Sequence, residues 1–214
     1  YGEPLDSIIM RAINNGERFL LFEKLRALAY FLATVHNRSA REETVDFNYC
    51  CHYTHCMITG LENFASGATI ESLRRKCEEW RNDPVMWQDR TVLVHGDATP
   101  SNFFFGDGIY VITFDLERVK WTDRIFDIGR IAGELQHFFL RSTGDKLNAE
   151  PFIHFFLQEY SWHFPDQEQT FQAITKRVPF YMGTNLLRIA RNTYLDDDYR
   201  RQLIHEAKEC LRRK

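Results

Sequence analysis

The sequence predicts an α+β domain that is predominantly α-helical, with one small β-hairpin near its middle. Most of the chain repeats apolar residues at three- or four-residue steps, the spacing of an amphipathic helix. The middle instead carries two short apolar runs, residues 103–105 and 109–114, joined by Gly106-Asp107-Gly108. An Asp-Gly pair between two such runs favours a tight hairpin turn.

Apolar spacing and end signals predict the helices in chain order. The predicted helices span residues 19–36, 68–80, 126–140, 167–178, 181–190 and 198–211, with a further helix beginning at Pro151. Pro179 separates two of them, because proline lacks the backbone donor that a helix interior uses. Asp198 favours the N-terminus of the last helix. Residues 91–94 are too few for a helix and rich in valine, which indicates a strand.

Composition excludes several classes of protein. The 214 residues carry a formal net charge of −3, so a surface that coats nucleic acid is not expected. No apolar run approaches the roughly 18 residues that a membrane span needs. The five cysteines are odd in number and three are clustered, which favours a reducing, cytoplasmic compartment over a disulfide framework. The chain begins with tyrosine, so we expect a fragment or a processed product.

Polar residues lie before and after the predicted hairpin, at its open end. Asp97 and Asn102 precede it, five positions apart, and Asp115 follows it. The hairpin brings Asn102 and Asp115 to the same end, where their oxygens suit Mg²⁺, which keeps waters for substrate phosphates. Asp97 would accept a proton from an attacking hydroxyl or orient it. The ring of His95 could bind backbone groups and fix the loop.

These motifs resemble the catalytic loop and metal motif of protein kinases. The His-Gly-Asp form, with Asp115-Leu-Glu in place of Asp-Phe-Gly, resembles the aminoglycoside phosphotransferase and choline kinase branch of that superfamily. By this resemblance, Asp97 is the catalytic base, Asn102 and Asp115 bind Mg²⁺ and the nucleotide phosphates, and Asp127 braces the catalytic loop.

Two further segments extend the resemblance over the whole chain. Residues 25–36 resemble the family helix that ends in Leu-His, with Val35 in place of the leucine, and residues 1–5 resemble the stretch after the hinge between lobes. The match implies that residues 1–214 form a kinase-like C-terminal lobe with a helical insert at about 37–90. No glycine-rich phosphate loop and no Val-Ala-x-Lys strand occurs, and Thr113 replaces a usual aliphatic residue.

The resemblance implies an ATP- and Mg²⁺-dependent phosphotransferase that acts on the hydroxyl of a small molecule, such as an aminoglycoside, a choline-like alcohol or a sugar. The nucleotide-binding lobe would come from the same protein or from a partner, and neither nucleic acid nor a membrane is expected as a partner. The alternative hypothesis is a non-catalytic binding module that lacks its nucleotide lobe. Retention of Asp97, Asn102 and Asp115 argues against it.

Three other polar clusters have simpler interpretations. The segment 50–56 contains cysteines and histidines that could bind zinc, but the crowding of all of them into one short segment favours ordinary helix packing. His137, His154 and His163 adjoin phenylalanines, which favours packing. The acidic run 196–198 could attract a cationic substrate, although a helix cap is the favoured interpretation.

Overall fold

The computed structural model describes residues 2–212 and confirms the predominantly helical α+β prediction. The eight α-helices of this part are α1 (Leu5–Asn14), α2 (Arg18–Ser39), α3 (Phe47–Thr59), α4 (Gly67–Arg81), α5 (Ile125–Thr143), α6 (Glu150–Ser161), α7 (Gln167–Ala190) and α8 (Asp197–Cys210). Short 3-10 turns lie at Pro84–Trp87, Pro100–Asn102, Leu116–Arg118 and Lys146–Ala149.

Two small antiparallel sheets lie in the middle of the fold. The strands are β1 (Glu3–Pro4), β2 (Thr91–Val94), β3 (Phe103–Phe105), β4 (Val111–Thr113) and β5 (Lys120–Asp123). The first sheet has the order β1-β3-β4, and its hairpin register pairs Phe103 with Thr113. The second pairs β2 with β5. In chain order, β2 is followed by a loop and then by the β3–β4 hairpin.

Helix α5 is the central element of the core. Fourteen of its residues are buried, and it packs against α1, α6 and α7. At Gly129 an added Cβ would lie 2.3 Å from the Cβ of Tyr181, so only glycine permits this close approach of α5 and α7. Such tight packing fixes the position of α5, whose first turns lie beneath the loop that follows β2.

The predicted break at Pro179 is wrong, whereas the acidic run 196–198 caps the last helix as expected. Residues 167–190 form a single helix, and Pro179 lies inside it. Proline removes one backbone hydrogen bond, but α7 is buried against α5 and α8 on both sides of Pro179, and this packing outweighs the local cost. The cap of α8 is Asp196, whose side chain accepts the N–H of Tyr199 at 2.8 Å, and Asp198 lies in the first turn, where its charge favours the helix N-terminus.

The hairpin is confirmed, but its connection is longer than a two-residue turn. The N–H of Gly106 donates to the carbonyl of Tyr110 at 3.1 Å, so residues 106–110 form the loop. Buried Lys24 donates to the carbonyls of Gly106 at 3.1 Å and of Gly108 at 3.4 Å. These bonds from α2 stabilise the wider loop.

Buried ion pairs attach the predicted helical insert to the rest of the domain. Asp89, which follows α4, accepts hydrogen bonds from Arg177 of α7 and from Arg124. Arg177 also donates to the buried Asp123 at 3.0 Å. Burial within this cluster makes the ion pairs structurally important, because removal of one partner would leave a charge unpaired in the interior. No helix among residues 2–212 is long and apolar enough to cross a membrane.

Candidate active site

The loop between β2 and β3 carries two of the predicted site residues. The carbonyl of Asp97 accepts hydrogen bonds from the N–H of Thr99 at 2.7 Å and from the side-chain amide of Asn102 at 2.9 Å. This use of the amide nitrogen leaves the Oδ1 of Asn102 as the free acceptor of that side chain. The loop therefore folds back on itself and orients the oxygen of Asn102.

Asp115 lies two residues after the end of β4, in a left-handed backbone conformation. Its φ of 57° makes it the only non-glycine residue of the described chain with a positive φ. The N–H of Phe114 donates to the carbonyl of Asn102 at 3.0 Å, which fixes Asp115 beside the start of β3. A left-handed aspartate is uncommon and costs conformational energy, and such residues concentrate at functional sites.

His95 connects the loop to both strands of the hairpin. Its Nε2 lies 2.8 Å from the Thr113 hydroxyl and 2.9 Å from the carbonyl of Phe114, and its Nδ1 accepts the N–H of Asp97 at 3.3 Å. A ring with the proton on Nε2 satisfies all of these contacts. The Thr113 hydroxyl itself donates to the carbonyl of Asn102 at 3.0 Å. Thr113, which replaces a usual aliphatic residue of the family, is part of this network.

Gly96 is the one position of the loop at which a side chain cannot be accommodated. Its φ is 79°, and an added Cβ would lie 2.0 Å from the carbonyl oxygen of Arg118. Any L-residue there would be strained and would push the two segments apart. The close contact holds the 3-10 turn after Asp115 against the loop that carries Asp97.

Asp127 lies in the first turn of α5 and is fully buried beneath the loop. Its carboxylate accepts the N–H of His95 at 2.7 Å and the N–H of Gly96 at 3.0 Å. His36 of α2 lies 3.4 Å away through Nε2, and its Nδ1 contacts the Tyr160 hydroxyl at 2.8 Å. Burial alone would raise the pKa of Asp127, but the hydrogen bonds and the His36 ring outweigh it and hold that pKa below its usual value.

Two arginines that the sequence analysis did not single out contact the Asp97 carboxylate. Arg130 of α5 pairs with Oδ1, and Arg118 lies 3.5 Å from Oδ2. Arg130 is buried, whereas the side chain of Arg118 is 55% exposed. The spacing of Asp127 and Arg130, three positions apart on one helix face, is the signal that could have identified Arg130.

A cleft of about 350 Å³ collects the predicted site residues. Asp97, Asn102 and Asp115 all line it. His95 and Asp127 are buried behind the cleft, and their side chains accept hydrogen bonds from backbone N–H groups of the loop. No sequence pattern indicated the rest of the polar lining, which includes Asp6, Glu134, His137, Arg188, Asn192 and Tyr194.

The sequence profile described as the phosphotransferase enzyme family, APH, matches residues 23–165, about two thirds of the chain. The chain belongs to this family. The match includes the loop of Asp97, the hairpin and Asp127, and it covers the whole of α6. A comparison of the sequence with curated proteins finds no match.

Solved kinases share the fold of this phosphotransferase family member. A glucosamine kinase is similar with a TM-score of 0.63 and 13% identity, over 96% of this chain and 56% of that one. An ethanolamine kinase of Plasmodium vivax is similar with a TM-score of 0.56 and 15% identity, over 98% of this chain and 61% of that one. The chain thus spans little more than half the length of these relatives, and their fold is protein kinase-like.

The donors in the cleft of this phosphotransferase family member fit a hard cation better than a soft one. The Asn102 Oδ1 and the exposed Asp115 carboxylate are oxygen ligands, and Mg²⁺ accepts one or two protein oxygens together with phosphates and water. Among residues 2–212 no group of three or more histidine, cysteine or acidic side chains is arranged to hold a metal. Asn102 and Asp115 are therefore the residues of the cleft that could hold such a cation together with a phosphate-bearing ligand.

The segment 50–56 has a buried part and an exposed part. It lies within α3, where Cys50 and Cys51 are buried in the core. Cys56 is exposed, with its sulfur 3.7 Å from the Nε2 of His52. His137 contacts Tyr199 at 2.7 Å and also lines the cleft, so it is not purely a packing residue.

Proposed function

We propose that the chain is the catalytic lobe of an ATP- and Mg²⁺-dependent phosphotransferase that phosphorylates a hydroxyl group of a small molecule. The observation that supports this most is the meeting of Asp97, Asn102 and Asp115 on one cleft. Phosphoryl transfer needs mainly positioning and neutralisation of charge, and this set of side chains supplies both.

Each residue has a distinct role in the proposal. Asp97 orients the acceptor hydroxyl and accepts its proton as the oxygen attacks the γ-phosphorus of ATP. The bond from this phosphorus to the β–γ bridging oxygen breaks, and ADP leaves. Asn102 and Asp115 hold Mg²⁺, which would neutralise the phosphate charge when bound. His95 and Asp127 keep the loop in place through the hydrogen bonds described above.

An apolar surface beside Asp115 suits the nucleotide base. Phe104 and Ile112 are cross-strand partners on the hairpin, and the ring of Phe104 meets that of Phe114 edge-on at 5.1 Å between centroids. Phe114 is 40% exposed. Aromatic faces of this kind stack with purine rings. We propose that an N-terminal lobe, in the same protein or from a partner, completes this surface.

The acceptor is proposed to be an amine-bearing alcohol or sugar. Asp6 contributes a carboxylate to the cleft, while Glu134 is neutralised by Arg188. An acidic lining favours a cationic acceptor such as an amino sugar, an aminoglycoside or a choline-like alcohol. The structural relatives are described as kinases of glucosamine and of ethanolamine, which makes these two compounds the first acceptors to test.

The test is a phosphotransfer assay on the natural protein with Mg·ATP and a panel that includes glucosamine, ethanolamine and an aminoglycoside. We expect ADP release that depends on both Mg²⁺ and an acceptor. Asp97→Asn should lower kcat about a hundred- to ten-thousandfold. Asp107→Asn, an exposed change in the hairpin loop, is the matched control and should keep full activity. If the natural protein neither binds ATP in the presence of Mg²⁺ nor phosphorylates any acceptor, the binding-module alternative is favoured.

A further inference from the structure

Arg130 joins the catalytic loop to the helical insert through a single side chain. Its Nη1 donates to Oδ1 of Asp97, and its Nη2 donates to the Tyr53 hydroxyl at 2.7 Å. Asp97 lies in the loop after β2, Arg130 lies in α5, and Tyr53 lies in α3, which belongs to the insert. The contact therefore connects three segments that are far apart in sequence.

The guanidinium group of Arg130 is buried and contacts two aromatic rings. It is 3% exposed, and its Cζ lies 5.3 Å from the ring centroid of Phe126 and 5.9 Å from that of Tyr53. These two rings pack edge-to-face at 5.3 Å between their centroids. A planar guanidinium that is fixed by two hydrogen bonds and an aromatic face has little freedom to move.

The two oxygens of Asp97 consequently have different surroundings. Oδ1 is bonded to the buried Arg130, whereas Oδ2 lies 3.5 Å from Arg118, whose side chain is 55% exposed. An exposed ion pair at this distance is weak and yields readily to another partner. Oδ2 is therefore the oxygen that is open to an acceptor hydroxyl in the cleft.

We propose that Arg130 is a positioning residue that fixes Asp97 with Oδ2 presented to the acceptor, and that Tyr53 makes this position dependent on the insert. This inference rests on the proposed function for the role of Asp97. The physical reason is that a hydroxyl must be aligned within a fraction of an ångström to attack in line. A carboxylate held through one oxygen keeps the other oxygen in a constant direction.

The experiment compares Arg130→Gln, Arg130→Lys and Tyr53→Phe in the full chain as it occurs naturally. We expect Arg130→Gln to lower kcat about a hundredfold, with little change in the KM for Mg·ATP. Arg130→Lys should recover part of this loss, because it restores a positive charge beside Oδ1 of Asp97. Tyr53→Phe should lower kcat about tenfold.

Tyr49→Phe is the matched control for Tyr53→Phe. Tyr49 lies one turn earlier on α3, and its hydroxyl accepts from Lys120 at 2.9 Å instead of from Arg130. It should leave kcat unchanged. Equal kcat values for Tyr53→Phe and Tyr49→Phe would overturn the proposed link to the insert. A loss in Arg130→Gln that Arg130→Lys does not reduce would overturn the positioning role.

Amide hydrogen exchange separates this proposal from the proposed function. In Arg130→Gln and Tyr53→Phe, but not in Tyr49→Phe, we expect the amides of residues 95–102 to exchange about tenfold faster. This result would support the link even if the unaltered protein transferred no phosphoryl group, in which case only the proposed function would fail. Unchanged exchange in both variants would overturn the proposal regardless of activity.

Discussion

The carboxylate of Asp127 binds the backbone N–H of Gly96 at 3.0 Å, which joins the first turn of α5 to the loop that carries Asp97. The same carboxylate binds the N–H of His95, so two loop donors that would otherwise be buried without partners are satisfied. The lowered pKa of Asp127 keeps this carboxylate charged at neutral pH. The loop conformation thus depends on a buried charge behind it.

Asp127→Ala is expected to destabilise the fold by about 3 kcal/mol or more, because two buried N–H groups lose their acceptor. Urea unfolding followed by circular dichroism measures this change. Asp107→Ala, at an exposed position, is the control and should change the free energy of unfolding by less than about 0.5 kcal/mol. An equal, small effect of the two substitutions would contradict the bracing role of Asp127.

Because of His137, we expect the free energy of unfolding to fall in mildly acidic solution. Burial lowers the pKa of its ring below 6.5, and the charges of Arg141 and Arg188 act in the same direction against the opposing effect of Glu134. As the pH falls below about 6.5, the unfolded chain therefore binds the proton first, and the folded state loses stability until its own lower pKa is passed.

The measurement for His137 is the free energy of unfolding of the unaltered protein and of His137→Gln at about pH 7.5 and pH 5.5. Glutamine keeps a polar partner for the Tyr199 hydroxyl, which lies 2.7 Å from the ring, but does not titrate. We expect the variant to lose less stability than the unaltered protein over this interval. Identical losses would show that His137 does not contribute to the pH dependence.

Arg177→Met is expected to cost about 3–5 kcal/mol, because it leaves Asp123 and Asp89 without their shared partner. Asp123 is fully buried, and it keeps only the Tyr181 hydroxyl at 2.8 Å and the N–H of Ile125 at 3.0 Å. Thermal or urea unfolding measures the loss. Arg75→Met removes an exposed arginine from α4 and should be nearly neutral. Two similar values would contradict the importance of the buried cluster.

The cysteines are expected to react with iodoacetamide in order of exposure. Burial raises the pKa of the Cys50 thiol to about 12, so at pH 8 only about one molecule in ten thousand carries the reactive thiolate. Cys56 is exposed and should be alkylated first. Peptide mass spectrometry over time measures the order, and all five cysteines should react in denaturant. Early modification of Cys50 in the folded protein would contradict its burial in the core.

Local spacing was enough to predict the hairpin and the residues at its open end. Asp97, Asn102 and Asp115 lie within 19 residues of one another, and an antiparallel hairpin brings the residues before its first strand close to those after its second. The same reasoning predicted most of the helices. It failed at Pro179, where burial of α7 on both sides outweighs the lost backbone bond, and it missed β5, whose partner β2 lies far away in sequence.

By itself, the sequence determined the helical class of the fold, the central hairpin and the acidic and amide residues that flank it. Only the tertiary structure decided which side chains surround them. Arg130, Tyr53 and His36 reach the site through helices that are distant in sequence, and their contacts depend on how those helices pack. Periodicity shows which face of a helix is buried, but the partner of each buried polar group is set by packing between elements.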